Sequence, residues 1–387
     1  MEMDRLSVFL APKKTILGKN AVHELGQTAG ALGGKKVLVV SDPGVAQAGL
    51  VEIVEKALKS KGIETGVFDR VEPEPPVGVV DACTKTLRED KFDLVVGLGG
   101  GSALDVAKGA ATIAPNEGNA LDYVGMDTLP KAGLPKILIP TTAGTGSEAT
   151  RVIVMTDESD NTKKVIYSDF LLAEVALLDP MLTLSMPPAV TADTGLDALV
   201  HAIEAYVSVN TTPFAEILAL EAIRLISQYL PVAFAKGNQV HARYHMLLAA
   251  NLAGAAFTSG GLGAVHGLAY VLGTDYHMAH GRSNAIMLPH VLSFNRTGNL
   301  QKFADIARAM GEKVDGLGLY DASEKAVEAV KILLEAVNIP FRLSHYGIAK
   351  EDLPKLVQGG LNQSRLFGPN PRDLTEEDVR GIYEAAF

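Results

Sequence analysis

The feature that most restricts how this chain can fold is a change of rhythm near its middle. Up to about residue 180, short apolar runs ending in glycine or polar residues alternate with helix-like stretches: KKVLVVSD (35–42), GIETGVFDRV (62–71), FDLVVGLGGG (92–101) and PKILIPTTAG (135–144). Strands alternating with helices build a mainly parallel sheet covered on both faces. RVIVMTD (151–157), the polar turn ESDNT (158–162) and KKVIYSD (163–169) read as a hairpin, and VALLD (175–179) as a last strand. Past LDPMLTLSMPP (178–188) the strand signal fades. Ala/Leu-rich segments with helical spacing take over, among them PFAEILALEAIRLISQYLPVAFAK (213–236) and EKAVEAVKILLEAV (324–337). With 387 residues the chain is too long for one ordinary domain. The reading is an α/β domain over 1–186 and an all-helical domain over 187–387, divided at Pro187-Pro188.

Charge and cysteine content narrow the partners. The net charge of −10, with no Lys/Arg-rich run to offset it, argues against a nucleic-acid or anionic-membrane surface and leaves small molecules. MEMDRLSVFLAP at the N-terminus has no basic segment followed by an apolar stretch, and no uninterrupted apolar run reaches membrane-spanning length, so a cytoplasmic protein is expected. The single cysteine, Cys83, excludes an internal disulfide and any all-cysteine metal site. A metal, if bound, needs histidines and carboxylates.

VVGLGGGSALDVAKGAA (95–111) carries the clearest ligand signal, an apolar strand running through three glycines and a serine into a helix. Glycines let the backbone approach a phosphate, and the free N–H groups of a helix start attract its charge, which suits a pyrophosphate. The motif is not G-x-G-x-x-G, and a ligand-free strand-to-helix turn is the competing reading. Ligands of open α/β sheets bind at the carboxyl ends of the strands. There KKVLVVSD ends in Asp42, placed for a ribose or equally for a helix N-cap, and PKILIPTTAGTGSE (135–148) ends in hydroxyls and glycines.

In GLDALVHAIEAY (195–206), Asp197 and His201 stand four apart, on one face of an otherwise apolar helix. His266 in GLGAVHGLAY (261–270) and His280 in HMAHGRSNA (277–285) can be set beside them. One carboxylate and three imidazoles suit Fe²⁺, Zn²⁺ or a similar divalent ion. A lone Asp–His pair is more often only a hydrogen-bonded pair, and a histidine before glycine more often a cap. His277 is near enough to His280 to compete, whereas His241 and His245, in HARYH, read as a solvated helix.

These segments together resemble the iron-containing, group III alcohol dehydrogenases, relatives of glycerol dehydrogenase and dehydroquinate synthase. The resemblance runs through GGGSALDVAK (99–108), PTTAGTGSE (140–148), KKVIYSDFLLAEVALLDP (163–180), TGLDALVHAIEAY (194–206), VHGLAYVLG (265–273), AHGRSNAIMLPHV (279–291) and NPRDLTEEDV (370–379). It implies a Rossmann-like dinucleotide-binding domain, a helical domain, and an active site in the cleft between them. It also implies that Asp197, His201, His266 and His280 hold a divalent metal, usually Fe²⁺, with Zn²⁺ or another ion as alternatives. For NAD it implies Gly99, Gly100, Gly101 and Ser102 at the pyrophosphate, Asp105 in the following helix, Asp42 at the adenosine ribose, Thr141 and Thr142 nearby, and Lys164 reaching in from the hairpin. Many members carry a further histidine four after the first of the H-G-x-x-H segment; this chain has Tyr270, expected with His280 near the reacting centre.

The activity implied is a metal-dependent, NAD(H)-linked alcohol dehydrogenase or aldehyde reductase acting on a small primary alcohol or diol. A divalent ion makes an alcohol oxygen more acidic and polarises an aldehyde carbonyl, while nicotinamide carries the hydride. A hydroxyacid–oxoacid transhydrogenase, a zinc polyol dehydrogenase, a metal-free reductase, a synthase using NAD transiently, and a non-catalytic nucleotide-binding protein are the alternatives. The resemblance further implies a homodimer or larger homo-oligomer.

Overall fold

The computed structural model describes residues 6–160 and 162–387; the expected N-terminal reading at residues 1–5 and Asn161 of the expected hairpin turn lie outside them. Two compact units are present, Leu10–Met186 and a second made of Pro187–Phe387 together with residues 6–9.

The first unit is built on strands β1 (Lys14–Leu17), β2 (Lys36–Val40), β3 (Glu64–Phe68), β4 (Leu94–Gly99), β5 (Gly125–Met126), β6 (Lys136–Pro140), β7 (Val152–Asp157), β8 (Thr162–Tyr167) and β9 (Val175–Leu178). Its helices are α1 (Leu25–Ala31), α2 (Pro43–Gln47), α3 (Leu50–Lys59), α4 (Val77–Glu89) and α5 (Gly101–Ile113). Six strands form one sheet in the order β1-β9-β6-β4-β2-β3, and every neighbouring pair is parallel. Side chains alternate between its faces along each strand. Val37 and Val39 of β2 join Leu25 of α1 and Val54 and Leu58 of α3 in one core. Leu38 and Val40 join Val80 and Leu87 of α4 and Leu104 and Ala107 of α5 in the other. Both faces being covered, the inner strands read as continuous apolar runs. The hairpin β7–β8 pairs antiparallel from Val152↔Tyr167 to Asp157↔Thr162, and β5 extends it. β1 and β5 had no counterpart in the sequence reading. β1 is four residues long and none of them is buried, and β5 has two, so neither carries an apolar period.

The second unit contains α6 (Pro188–Val207), α7 (Pro213–Ala235), α8 (Val240–Gly260), α9 (Ala264–Tyr276), α10 (His280–Asn295), α11 (Leu300–Ala309), α12 (Leu319–Ala336), α13 (Leu353–Leu361) and α14 (Glu376–Ala385). Pro188 opens α6 and the Thr212 hydroxyl caps α7 by accepting from Ala215 N–H, 3.2 Å away. From Gly195 to Val207 every residue of α6 is buried, enclosed by α7, α8 and α10. A helix apolar on all sides belongs in the middle of a bundle. The expectation that HARYH is a solvated helix holds at His241, which is exposed, and fails at Arg243. Arg243 is 1% exposed, its Nε donating to the Gly237 carbonyl and its Nη1 to Thr191 Oγ1, each at 2.8 Å, while His245 stacks on Tyr229 with ring centroids 4.1 Å apart. An arginine reads as a surface residue in the sequence, yet here neighbouring oxygens satisfy its donors and let α8 sink into the bundle.

Candidate metal centre and nucleotide cradle

In the second unit, the face of α6 that carries Asp197 and His201 meets the first turn of α9, which carries His266. Ligand atoms of these three residues lie within 4.8 Å of one another, and all three side chains are buried. His280 opens α10 at the rim. Its Nε2 is 3.6 Å from Asp197 Oδ1, its ring lies 5.4 Å from that of His266, and its side chain is 46% exposed. Gly281 allows this approach, because a Cβ there would run into the Asp193 carbonyl of α6. Arg282 Nε donates to Asp193 Oδ1 at 2.5 Å and fastens the same turn. His277 ends α9 in the left-handed conformation and is exposed. The Tyr270 ring stands edge-on to His280 with centroids 6.4 Å apart.

Two residues that the sequence reading missed organise the cluster. Glu204, one turn beyond His201 on the same face of α6, accepts from His266 Nδ1–H and from Val265 N–H, each at 2.6 Å. That fixes the His266 tautomer, leaving the Nε2 lone pair for the centre. Asn284 of α10 places its amide nitrogen 2.7 Å from Asp197 Oδ1 and 3.2 Å from the Nε2 atoms of both His266 and His280. Glu204 was findable in the sequence as the third polar residue of one α6 face; nothing local marks Asn284.

Burial and charge act against each other here. Burial would raise the Asp197 carboxyl, but the imidazoles of His201, His280 and His266 and the Asn284 amide hold it below the usual carboxylate range. Burial pushes the His201 imidazole down to about 4 in spite of Asp197. For His266 burial also works downward, and the Glu204 charge and hydrogen bond more than offset it, so its imidazole is raised. His201 Nδ1 is buried without a hydrogen-bond partner among the described residues. An ionised carboxylate, a neutral imidazole with an orphaned nitrogen, and a second imidazole locked by a carboxylate form a donor set that fits a divalent cation.

In the first unit the chain passes from β2 to β3 on one side and then back across β2 to β4, so the topological switch lies between β2 and β4. Asp42 follows β2 and Gly99, Gly100 and Gly101 end β4. Ser41 Oγ donates to the Leu98 carbonyl at 2.8 Å, and Thr141 N–H donates to the Gly99 carbonyl at 3.0 Å, which joins the ends of β2, β4 and β6. Gly99 has φ 151°, and a Cβ on it would lie 2.7 Å from Ala103 Cβ and 3.1 Å from Asp42 Oδ2. A Cβ on Gly101 would lie 2.7 Å from Thr145 Cγ2. Gly100 differs, since a Cβ there meets only Thr142, at an ordinary 3.6 Å. The fold itself therefore accepts a Cβ at Gly100, and the N–H groups of the first turn of α5 beside it suit a pyrophosphate. Asp42 Oδ1 caps α2 by accepting from Val45 N–H at 2.9 Å, with Oδ2 turned toward Gly99. Ser102 is the second residue of α5 and partly exposed.

Asp105 and Lys164 each have charged or polar protein partners. Asp105 accepts from Ser147 Oγ–H at 2.6 Å and Val154 N–H at 2.9 Å and lies 3.1 Å from the buried Lys108 Nζ, so it ties α5 to β7. Lys164 Nζ pairs with Asp160 at 2.5 Å and Asp157 at 3.5 Å near the hairpin turn.

Residues 12–180 match the family model for iron-containing alcohol dehydrogenase, and residues 191–387 match that for the C-terminal part of the Fe-containing alcohol dehydrogenase family. The chain belongs to the iron-containing alcohol dehydrogenase family. Among relatives, the long-chain-alcohol dehydrogenase 1 of Geobacillus thermodenitrificans is 45% identical over 97% of this chain and 95% of its own. Among solved structures, 1,3-propanediol oxidoreductase superposes with TM-score 0.96 at 40% identity, covering 99% of this chain and 100% of that one. Sulfoacetaldehyde reductase from Bifidobacterium kashiwanohense, solved in complex with NAD+, superposes with TM-score 0.89 at 30% identity over 99% of each chain. As an iron-containing alcohol dehydrogenase the protein is an oxidoreductase that uses NAD and a metal ion.

Proposed function

We propose that the protein interconverts a small primary alcohol or diol and its aldehyde, with Asp197, His201, His266 and His280 as the metal ligands. The observation that carries this reading is the buried Asp197–His201–His266 cluster, backed by Glu204. A bound divalent ion supplies Lewis acidity toward the alcohol or carbonyl oxygen, and NAD exchanges the hydride. The chain's own residues orient the site. Glu204 keeps the proton of His266 on Nδ1, and Phe257 stacks on His201 with ring centroids 4.7 Å apart and holds that ring in place. Tyr270, edge-on to the exposed His280, borders the substrate. In the cradle, Gly99, Gly100, Gly101 and Ser102 present N–H groups to the pyrophosphate. Asp42 Oδ2 accepts from the adenosine ribose, and Thr141 and Thr142 lie beside it. Asp105 from α5 and Lys164 from the hairpin complete the cofactor set, each keeping capacity for a further partner beside its present ones.

We further read the protein as a cytoplasmic homodimer or larger homo-oligomer. A single thiol buried at Cys83 suits a reducing compartment, and Val209, Phe214 and Ile217, each about half exposed or more, offer an apolar patch to a second copy. Metal analysis of anaerobically purified protein, with NADH formation across a panel of short primary alcohols and diols, tests the activity. His266→Ala is expected to lose both the metal and turnover while keeping NAD affinity within about twofold. Retention of a full metal complement and normal rate in that variant would remove the site from this reading.

A further inference from the structure

We propose that Asn284 is a placeholder at the candidate metal centre. Its amide nitrogen is aimed at Asp197, His266 and His280 together and competes with a divalent cation for them. It yields when the cation enters, and so sets how tightly and how fast the ion is exchanged. The proposal rests on reading those three residues as ligands.

Three polar atoms surround one nitrogen. Asn284 Nδ2 is 2.7 Å from Asp197 Oδ1, 3.2 Å from His266 Nε2 and 3.2 Å from His280 Nε2. A primary amide nitrogen carries two hydrogens, so it cannot serve all three well at once. The other end of the side chain does nothing comparable. Asn284 is fully buried, and its Oδ1 has no hydrogen-bond partner among the described residues. Turning the amide over would set a carbonyl oxygen 2.7 Å from a carboxylate oxygen, so the donor end is held inward by charge. A buried amide that leaves its own oxygen unsatisfied in order to donate to a cluster of ligands is placed for the cluster, not for packing.

Lone pairs decide what happens when an ion arrives. Because His266 Nδ1–H is committed to Glu204, the neutral ring, the form that can take a cation, carries its lone pair on Nε2, facing Asn284. A lone pair given to a cation cannot also accept the amide hydrogen, and the positive ends of the N–H dipoles repel the incoming charge. Asp197 has a second oxygen, Oδ2, turned toward His201 at 4.0 Å, so its contact with Asn284 through Oδ1 can survive. The imidazole contacts cannot. Asn284 thus stabilises the metal-free form, where a buried carboxylate would otherwise lack a donor, more than the loaded form, where the cation does that work.

Thermodynamic linkage gives the sign. Removing the amide should lower the stability of the metal-free protein and tighten metal binding. In Asn284→Ala the metal-free Tm is expected to fall by about 4 °C or more, with a smaller fall in the zinc-loaded protein. Zinc affinity, measured by competition with a chromogenic chelator, is expected to rise about tenfold, with slower release to EDTA. Asn284→Asp, which sets a second carboxylate at the same point, should move both readouts the same way. If both variants fold only when zinc is present, the proposal holds in its extreme form. Equal Tm losses with and without zinc, weaker zinc binding, or failure to fold even with zinc would overturn it. Wild-type protein that takes up no zinc, or whose uptake survives His266→Ala, would instead overturn the underlying metal reading.

Discussion

Glu204 shows how much one buried carboxylate can anchor with its two oxygens. It is 4% exposed and gives one oxygen to His266 Nδ1 and the other to Val265 N–H, so the ring's orientation, its tautomer and the first turn of α9 share one anchor. Losing a partner behind a metal ligand commonly costs 10–100-fold in metal affinity. Glu204→Gln keeps the shape but can present N–H toward Nδ1 and favour the other tautomer. Its zinc affinity is therefore expected to drop by about 10-fold or more while NAD affinity is unchanged, as read by chelator competition and by quenching of bound NADH. A variant with wild-type zinc affinity would reduce Glu204 to a structural bond.

At the scale of elements, the glycine loop separates two demands that one motif conceals. A Cβ on Gly101 would press on the Thr145 side chain and force it to shift, whereas one on Gly100 would meet Thr142 at ordinary contact distance. Gly101→Ala is expected to cost about 1–3 kcal/mol of stability. Gly100→Ala should shift Tm by less than about 2 °C yet weaken NAD binding about tenfold or more, since its methyl occupies the space left for phosphate. Thermal melts and NADH titration of the two variants check this, and equal effects on both readouts would erase the distinction. What could be read in advance follows the same division. Asp197 and His201 were legible because they lie four apart on one helix, and the glycine run because it ends an apolar strand. The work of Glu204 and Asn284 was not, because it is done on residues 62 and 87 positions away. Asp42 looked equally suited to a cap or a ribose, and the fold uses one carboxylate oxygen for the cap and leaves the other beside Gly99.

For the molecule as a whole, stability should depend on histidines kept neutral inside it. His290 of α10 is 9% exposed and donates from Nε2 to the Phe341 carbonyl at 2.8 Å; burial pushes its imidazole down to about 4. Unfolded, a histidine titrates near 6.5, so between about pH 6.5 and 4 the unfolded chain binds the extra proton and the folded one resists it. The contribution of His290 is full above about pH 6.5 and is lost as pH falls toward 4. Urea unfolding at pH 7 and pH 5 should show a fall in stability that is about 2 kcal/mol smaller in His290→Gln than in the parent. Identical falls would mean that His290 does not drive the acid response.

The pairing of β1 with β9 also fixes an order in time. β1 has no other neighbour in the sheet, and Lys13 beside it meets Glu174 across a gap of 161 residues. A ribosome adding roughly 5–20 residues per second needs on the order of ten seconds or more to make that partner. The first strand to be made is thus the last to be seated. Throughout that interval the growing chain carries an unpaired strand whose only place in the sheet does not yet exist, and the newly emerged edge of β6 waits with it for β9 to fill the gap between them.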